Sequence, residues 1–153
     1  MKWPASYNAP AGLDQKRQNA KTKRMDLSTR RFADVVVAEP AGRIDYTNAE
    51  DFKSMLWPAL AHQPERGAFV LDFSRVSYIS SVGLRVLMLA AKEMNAEQRK
   101  IAIAAPQPVV REILEISRFN LILAIFSSVR EALAQLSPAA LAAYDTVPKT
   151  GAA

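Results

Sequence analysis

The chain has 153 residues, half of them hydrophobic, which suits a single domain with a sizeable core. It contains no cysteine, no apolar run near 18 residues and no apolar signal core at the polar, basic N-terminus. Those absences argue against disulfides, thiol catalysis, a membrane-spanning helix and secretion by a signal peptide, and they fit a cytoplasmic address. The net charge of +5 is unevenly spread. Residues 1–31 hold eight Lys and Arg against Asp14 and Asp26, so the other 122 residues together come to −1. The composition therefore divides the chain into a basic, disordered extension (1–31), a near-neutral domain (32–136) and a flexible Ala/Pro-rich tail (137–153).

Within the domain, Val35–Val37 and Arg43–Tyr46 flank a Pro-Ala-Gly sequence that reads as the turn of a strand pair. Thr47 or Asn48 can cap the helix that follows, with Glu50 completing a capping box on Thr47. Phe52, Met55, Leu56, Ala59 and Leu60 recur at helical spacing, and Pro58 is expected to kink or shorten that helix. Residues 68–73, AFVLDF, are apolar almost throughout, as in a strand covered on both faces.

Next come YISS and VGLRVL, a polar notch between two apolar runs. Leu84, Leu87, Met88 and Ala91 share one helical face there, with Arg85 and Lys92 on the polar side. Residues 100–104 form a short strand, and Pro108 sits in the first turn of a helix whose buried stripe is expected at Val109, Ile113 and Ile116. Residues 121–126 read as the last strand. Ser128 and Glu131 make a capping box for a final helix carrying Val129, Ala132, Leu133 and Leu136. Two strands followed by alternating helices and strands give a small α/β domain: a mixed sheet of four to five strands with about four helices.

Enzymatic chemistry finds little support. His62 is the single histidine and precedes a Gln-Pro turn. No GxSxG elbow, S-x-x-K motif, glycine-rich phosphate loop or cluster with metal-ligand spacing occurs, so neither a cofactor nor a metal is expected. The notch invites a different reading. Ser80 suits an N-cap, which is worth about 1 kcal/mol. That leaves Ser81 unexplained. Gly83 is odder, because glycine inside a helix costs about 0.5–1 kcal/mol relative to alanine. A phosphate on Ser81 would sit at a helix N-terminus, whose free N–H groups and dipole tolerate an anion. It would also place close to two negative charges where a partner docks. Asp45 and Asp72, at strand ends, are expected to line the same rim.

The segment VLDFSRVSYISSVGLRVL resembles the signature of STAS domains, the fold of anti-sigma factor antagonists (anti-anti-sigma factors): a strand ending in Asp, a short apolar loop, then Asp-Ser-Ser/Thr-Gly opening a helix. GRID at 42–45 is similar to the family's early Gly-x-Leu-Asp, and the likeness spans about residues 32–136. The resemblance implies partner switching. The unmodified antagonist binds a GHKL-type serine kinase that is also the anti-sigma factor. Phosphorylation by that kinase breaks the complex, and a PP2C-type phosphatase restores it. The acceptor position corresponds to Ser81, with Ser80 as the alternative, and the docking surface is expected at Asp45, Asn48, Asp72, Ser80, Ser81, Val82, Gly83 and Arg85. Ser80 replaces the family's aspartate and Val82 its second hydroxyl. A second reading makes the chain a non-enzymatic STAS subunit docked on a membrane transporter or lipid-transport ATPase complex. Neither reading expects the chain itself to span a membrane or to bind a nucleic acid sequence.

Overall fold

The computed structural model describes residues 25–61 and 67–148. The basic extension up to residue 24, His62 and the last five residues lie outside the described residues. The elements, in chain order, are β1 (Asp26–Phe32), β2 (Val35–Ile44), α1 (Ala49–Ala61), β3 (Phe69–Asp72), β4 (Val76–Ile79), α2 (Ser81–Ala96), β5 (Ile101–Ala104), α3 (Pro108–Ile116), β6 (Ala124–Phe126), α4 (Val129–Leu136) and α5 (Pro138–Thr146). The sheet runs β1-β2-β3-β5-β6, with β4 paired to the far end of β2. β1 is antiparallel to β2, and every other pairing is parallel.

The mixed α/β architecture is the expected one, with six strands and five helices among the described residues. Pro40 does not reverse the chain. Val35–Ile44 is one continuous strand, and Pro40 pairs across to Leu27 on β1. The Pro-Ala-Gly sequence instead marks where β2 changes partners. Val36–Ala38 pair with β3 and Gly42–Ile44 with β4, and the register shifts between Gly42 and Arg43. Gly42 has φ +100, which lets the backbone take up that irregularity at no cost in Cβ clashes.

Alternation along the strands builds a core on each face of the sheet. Phe69 and Leu71 join Val36, Ala38, Ile44 and Ile103 under α1, α2 and α3. Val70 joins Val35, Val37 and Ala104 under α4 and α5. The unbroken apolar run at 68–73 is thus explained by helices on both sides, each fully covered large side chain contributing roughly 1.5–3 kcal/mol.

Several elements depart from the pattern read in the sequence. β1 occupies residues that the charge distribution had assigned to the extension. It is an edge strand whose exposed side chains are Asp26, Ser28, Thr29, Arg30 and Arg31. α1 runs through Pro58 to Ala61. The last strand is only Ala124–Phe126, because Phe119–Leu121 form a 3-10 turn entered through a left-handed Arg118. α5 forms within the expected tail: Ser137 caps it by accepting from Ala140 N (3.1 Å) and donates to Asp34 (2.6 Å). The α3 stripe matches the expected one only at Ile113, which is half-buried and packs against the core. Val110 and Leu114 are buried, whereas Val109 (56%) and Ile116 (74%) are exposed. Both faces of this nine-residue helix are apolar, so spacing alone does not select the inward one.

Candidate functional site

The site is built where β2 and β4 end side by side. Ile44 pairs with Ile79, and Ser80 N donates to Ile44 O at 2.8 Å, so the two chains leave the sheet together. Ser80 keeps extended backbone angles, which aim its hydroxyl back over the first turn of α2. Ser80 Oγ accepts from Gly83 N at 3.3 Å, and Ser80 O accepts from Leu84 N at 2.9 Å. The expected cap is therefore present, and its long hydrogen bond puts it at the weaker end of the range for such caps.

Gly83 is buried, and the reason is internal. A Cβ at this position would lie 2.7 Å from Ile79 Cγ1 and 2.8 Å from Ile44 Cγ2. The missing side chain lets the first turn of α2 settle onto the ends of β4 and β2. Gly83 consequently shapes the tip without being available to a docking partner.

Ser81 and Val82 are the first two residues of α2 that face outward. Ser81 is exposed, as is Val82 at 42%. The first N–H groups of a helix have no partner within it, so the Ser81 hydroxyl stands beside free donors and the positive end of a 16-residue helix. Arg85, one turn on, is exposed as well.

Asp45 anchors the neighbouring loop. It accepts hydrogen bonds from Thr47 N (2.9 Å) and Thr47 Oγ1 (2.5 Å) and lies 3.7 Å from Arg43 Nε. The Thr47 bonds, side chain first, hold its carboxyl below the usual aspartate value against a smaller opposing effect of burial, and the Arg43 charge adds a lesser lowering. Asp45 is thus a fixed anion on the rim beside Ser80. Arg43 is also stacked 4.4 Å from the centre of the Tyr78 ring. Asn48 is half-buried and committed to the loop: its Oδ1 accepts from Asp45 N (2.9 Å) and its Nδ2 donates to Arg43 O (2.6 Å). The expected Thr47–Glu50 capping box is replaced by this Asp45–Asn48 arrangement.

Asp72 does not share the rim. It is buried at 7% exposure and accepts from Ser74 N at 3.0 Å, turning β3 into β4. Leu71 pairs with Ala38, so Asp72 lies level with Glu39, six residues before Asp45 along β2. At about 3.3 Å per residue, that separation is on the order of 20 Å. The structure therefore gathers Asp45, Ser80, Ser81, Val82 and Arg85 at one end of the sheet, uses Asn48 and Gly83 as internal supports, and sets Asp72 apart. Sequence reasoning overlooked Tyr46, which is 80% exposed in the loop beside Asp45. An aromatic directly after a rim aspartate was the available signal. Among the described residues, no group of three side chains could hold a metal ion, and no helix is long and apolar enough to cross a membrane.

Comparison with known proteins fits this geometry. The STAS domain family matches residues 26–132. The chain belongs to the STAS domain family. The match begins at β1, in agreement with the edge strand seen here. BtrV of Bordetella bronchiseptica, provisionally named an anti-sigma factor antagonist, is 36% identical over 119 residues, covering 76% of this chain and 98% of BtrV. A Thermotoga maritima protein given the same provisional description has the same fold (TM-score 0.66, 22% identity, 72% of this chain and 93% of that one). The anti-sigma factor antagonist SpoIIAA, solved in its unphosphorylated form, also shares it (TM-score 0.60, 18% identity, 72% of this chain and 95% of that one).

Proposed function

We propose that this STAS protein is an anti-sigma factor antagonist that works by partner switching in the cytoplasm, without catalysis of its own. The unmodified tip of α2 docks on a GHKL-type serine kinase that doubles as anti-sigma factor, and phosphorylation of Ser81 releases it. A PP2C-type phosphatase reverses the step. Kinship with BtrV over nearly its whole length supports the regulatory class. The observation that carries the mechanism is the exposure of Ser81 at the N-terminus of α2 beside a charged Asp45.

The physics of the switch is local. A phosphoserine adds about −1.5 to −2 charges. The free N–H groups of the first turn stabilise that anion, so the domain stays folded. A docking surface that had accommodated Ser81 and Val82 would instead meet a desolvated phosphate next to the Asp45 carboxylate. Repulsion and lost desolvation energy both oppose binding. Ser80 cannot supply the negative charge that an aspartate would have at its position. The unmodified tip is therefore less acidic here than in the motif's usual form, and the charge that distinguishes the two states comes from the phosphate alone.

The test is to incubate the full chain with a GHKL-type anti-sigma kinase that binds it and Mg-ATP. The expected result is one added phosphate on Ser81, dissociation of the complex, and recovery of binding after phosphatase treatment. Modification at Ser80 instead, or a complex that survives phosphorylation of Ser81, would count against the switch. Stable association with a transporter ATPase and no phosphorylation would favour the docking-subunit reading.

A further inference from the structure

At the opposite end of α2 the domain carries a cavity of about 530 Å³. That volume falls within the roughly 300–1,000 Å³ typical of small-molecule sites. Its walls include the apolar side chains Met88, Ala91, Ile101, Ile122 and Leu136. Folding leaves this surface incompletely covered: Ile122 is 47% exposed, and Met88, Ile101 and Leu136 are only partly buried. Ala124, the amide side chain of Asn95 and three cationic residues, Lys92, Arg99 and Lys100, complete the lining, and no carboxylate contributes to it.

The three cations differ in what they already do. Arg99 is a structural residue: it donates to Gly67 O (3.3 Å) and Leu60 O (3.3 Å) and pairs with Glu97 at 2.8 Å. Lys92 and Lys100 are exposed, and neither makes an ion pair among the described residues. Glu93 and Glu97 line the adjoining groove on the α1 side of α2, together with Lys53, Trp57 and Lys92 itself, which borders both, and they do not line this cavity. The recess thus combines uncovered aliphatic surface with two ammonium groups that make no ion pair among the described residues.

The geometry points to this recess as a binding site for a small amphiphilic anion, an alkyl chain ending in a carboxylate, whose chain covers Met88, Ile101, Ile122 and Leu136 and whose head lies between Lys92 and Lys100. Each half of such a ligand is matched by one half of the lining. An alcohol of the same length supplies only the apolar half, and acetate only the charged half. The site is independent of Ser81 and of the proposed switch.

Decanoate, below its micellar concentration, is the probe. Calorimetric titration of the full chain is expected to show saturable one-to-one binding with a Kd of roughly 10–100 µM, as the ligand-size limit on affinity allows. Decanol and acetate should each bind at least about tenfold more weakly. The double variant Lys92→Glu/Lys100→Glu should lose binding, and Leu136→Trp should lose it by filling the recess. Circular dichroism and thermal melting check that both fold. If Leu136→Trp does not fold, the lysine variant decides alone. No decanoate binding, equal binding of decanol, or undiminished binding by the lysine variant would each overturn the assignment.

Discussion

The two ends of α2 meet the rest of the domain in opposite ways. At the N-terminus the backbone sits as close to the sheet as chemistry permits. Gly83 lies against Ile79 and Ile44, Ser80 closes the first turn, and Asp45 and Asn48 tie down the adjoining loop. Toward the C-terminus, Met88, Ala91 and Lys92 line an open recess. One helix therefore presents a rigid tip at one end and leaves uncovered surface at the other. A rigid tip suits a charge switch, because a new anion there changes the surface without first reorganising it. A recess suits a ligand that brings its own apolar surface.

The largest expected effect of breaking this contrast is on stability at Gly83. In Gly83→Ala the new Cβ has to displace Ile79 and Ile44, both anchored in the core. Overpacking of this kind costs about 1–3 kcal/mol, offset by up to about 1 kcal/mol of improved helix propensity. Urea denaturation should show a net loss, together with weaker partner binding. A variant as stable as wild type would mean that the tip is not tightly seated. At the other end, the same measurement on Lys92→Glu/Lys100→Glu should give a change within about 0.5 kcal/mol, as for solvated surface residues.

Ser80→Ala sharpens the division of labour within the tip. It removes the cap, and the 3.3 Å hydrogen bond implies a loss of about 0.5–1 kcal/mol. Kinase-dependent phosphorylation of Ser81 should persist. If phosphate incorporation disappears in Ser80→Ala while the fold is intact, Ser80 is the acceptor.

The smallest effect is the pH dependence of the Asp45 loop. The folded carboxyl titrates below its ordinary value of 3.8. The unfolded chain therefore takes up a proton first as pH falls. The stability that Asp45 gains from Thr47 and Arg43 is fully present well above pH 3.8 and is lost as the pH drops through the lower folded value. Thr47→Val should lower stability at pH 7 by less than about 1 kcal/mol, because the group is partly solvated, and by less still in strong acid. An equal deficit at both pH values would show that the Thr47 hydroxyl hydrogen bond does not depend on the Asp45 charge.

What could be read from the sequence follows physical lines. β3 and α2 were legible because burial imposes a strong pattern on them. An edge strand has no such constraint: Arg30 and Arg31 on β1 look like part of a basic tail, although Phe32 at its end packs on Tyr144 with ring centres 5.3 Å apart. Pro40 and Gly42 signal an irregularity, but a turn and a partner-changing bulge use the same residues. At the site, the exposure of Ser81 and the cap at Ser80 follow from the helix start. The burial of Asp72 and the internal task of Gly83 depend on register and on two isoleucines far apart in sequence, which no local pattern encodes.

The most direct measurement is the affinity of Ser81→Asp and Ser81→Ala, each compared with wild type, for the anti-sigma kinase, with unfolding stability measured in parallel. A switch made of surface charge predicts stability within about 0.5 kcal/mol for both variants, near wild-type binding for alanine, and at least about tenfold weaker binding for aspartate. Wild-type affinity in a folded Ser81→Asp protein would contradict it.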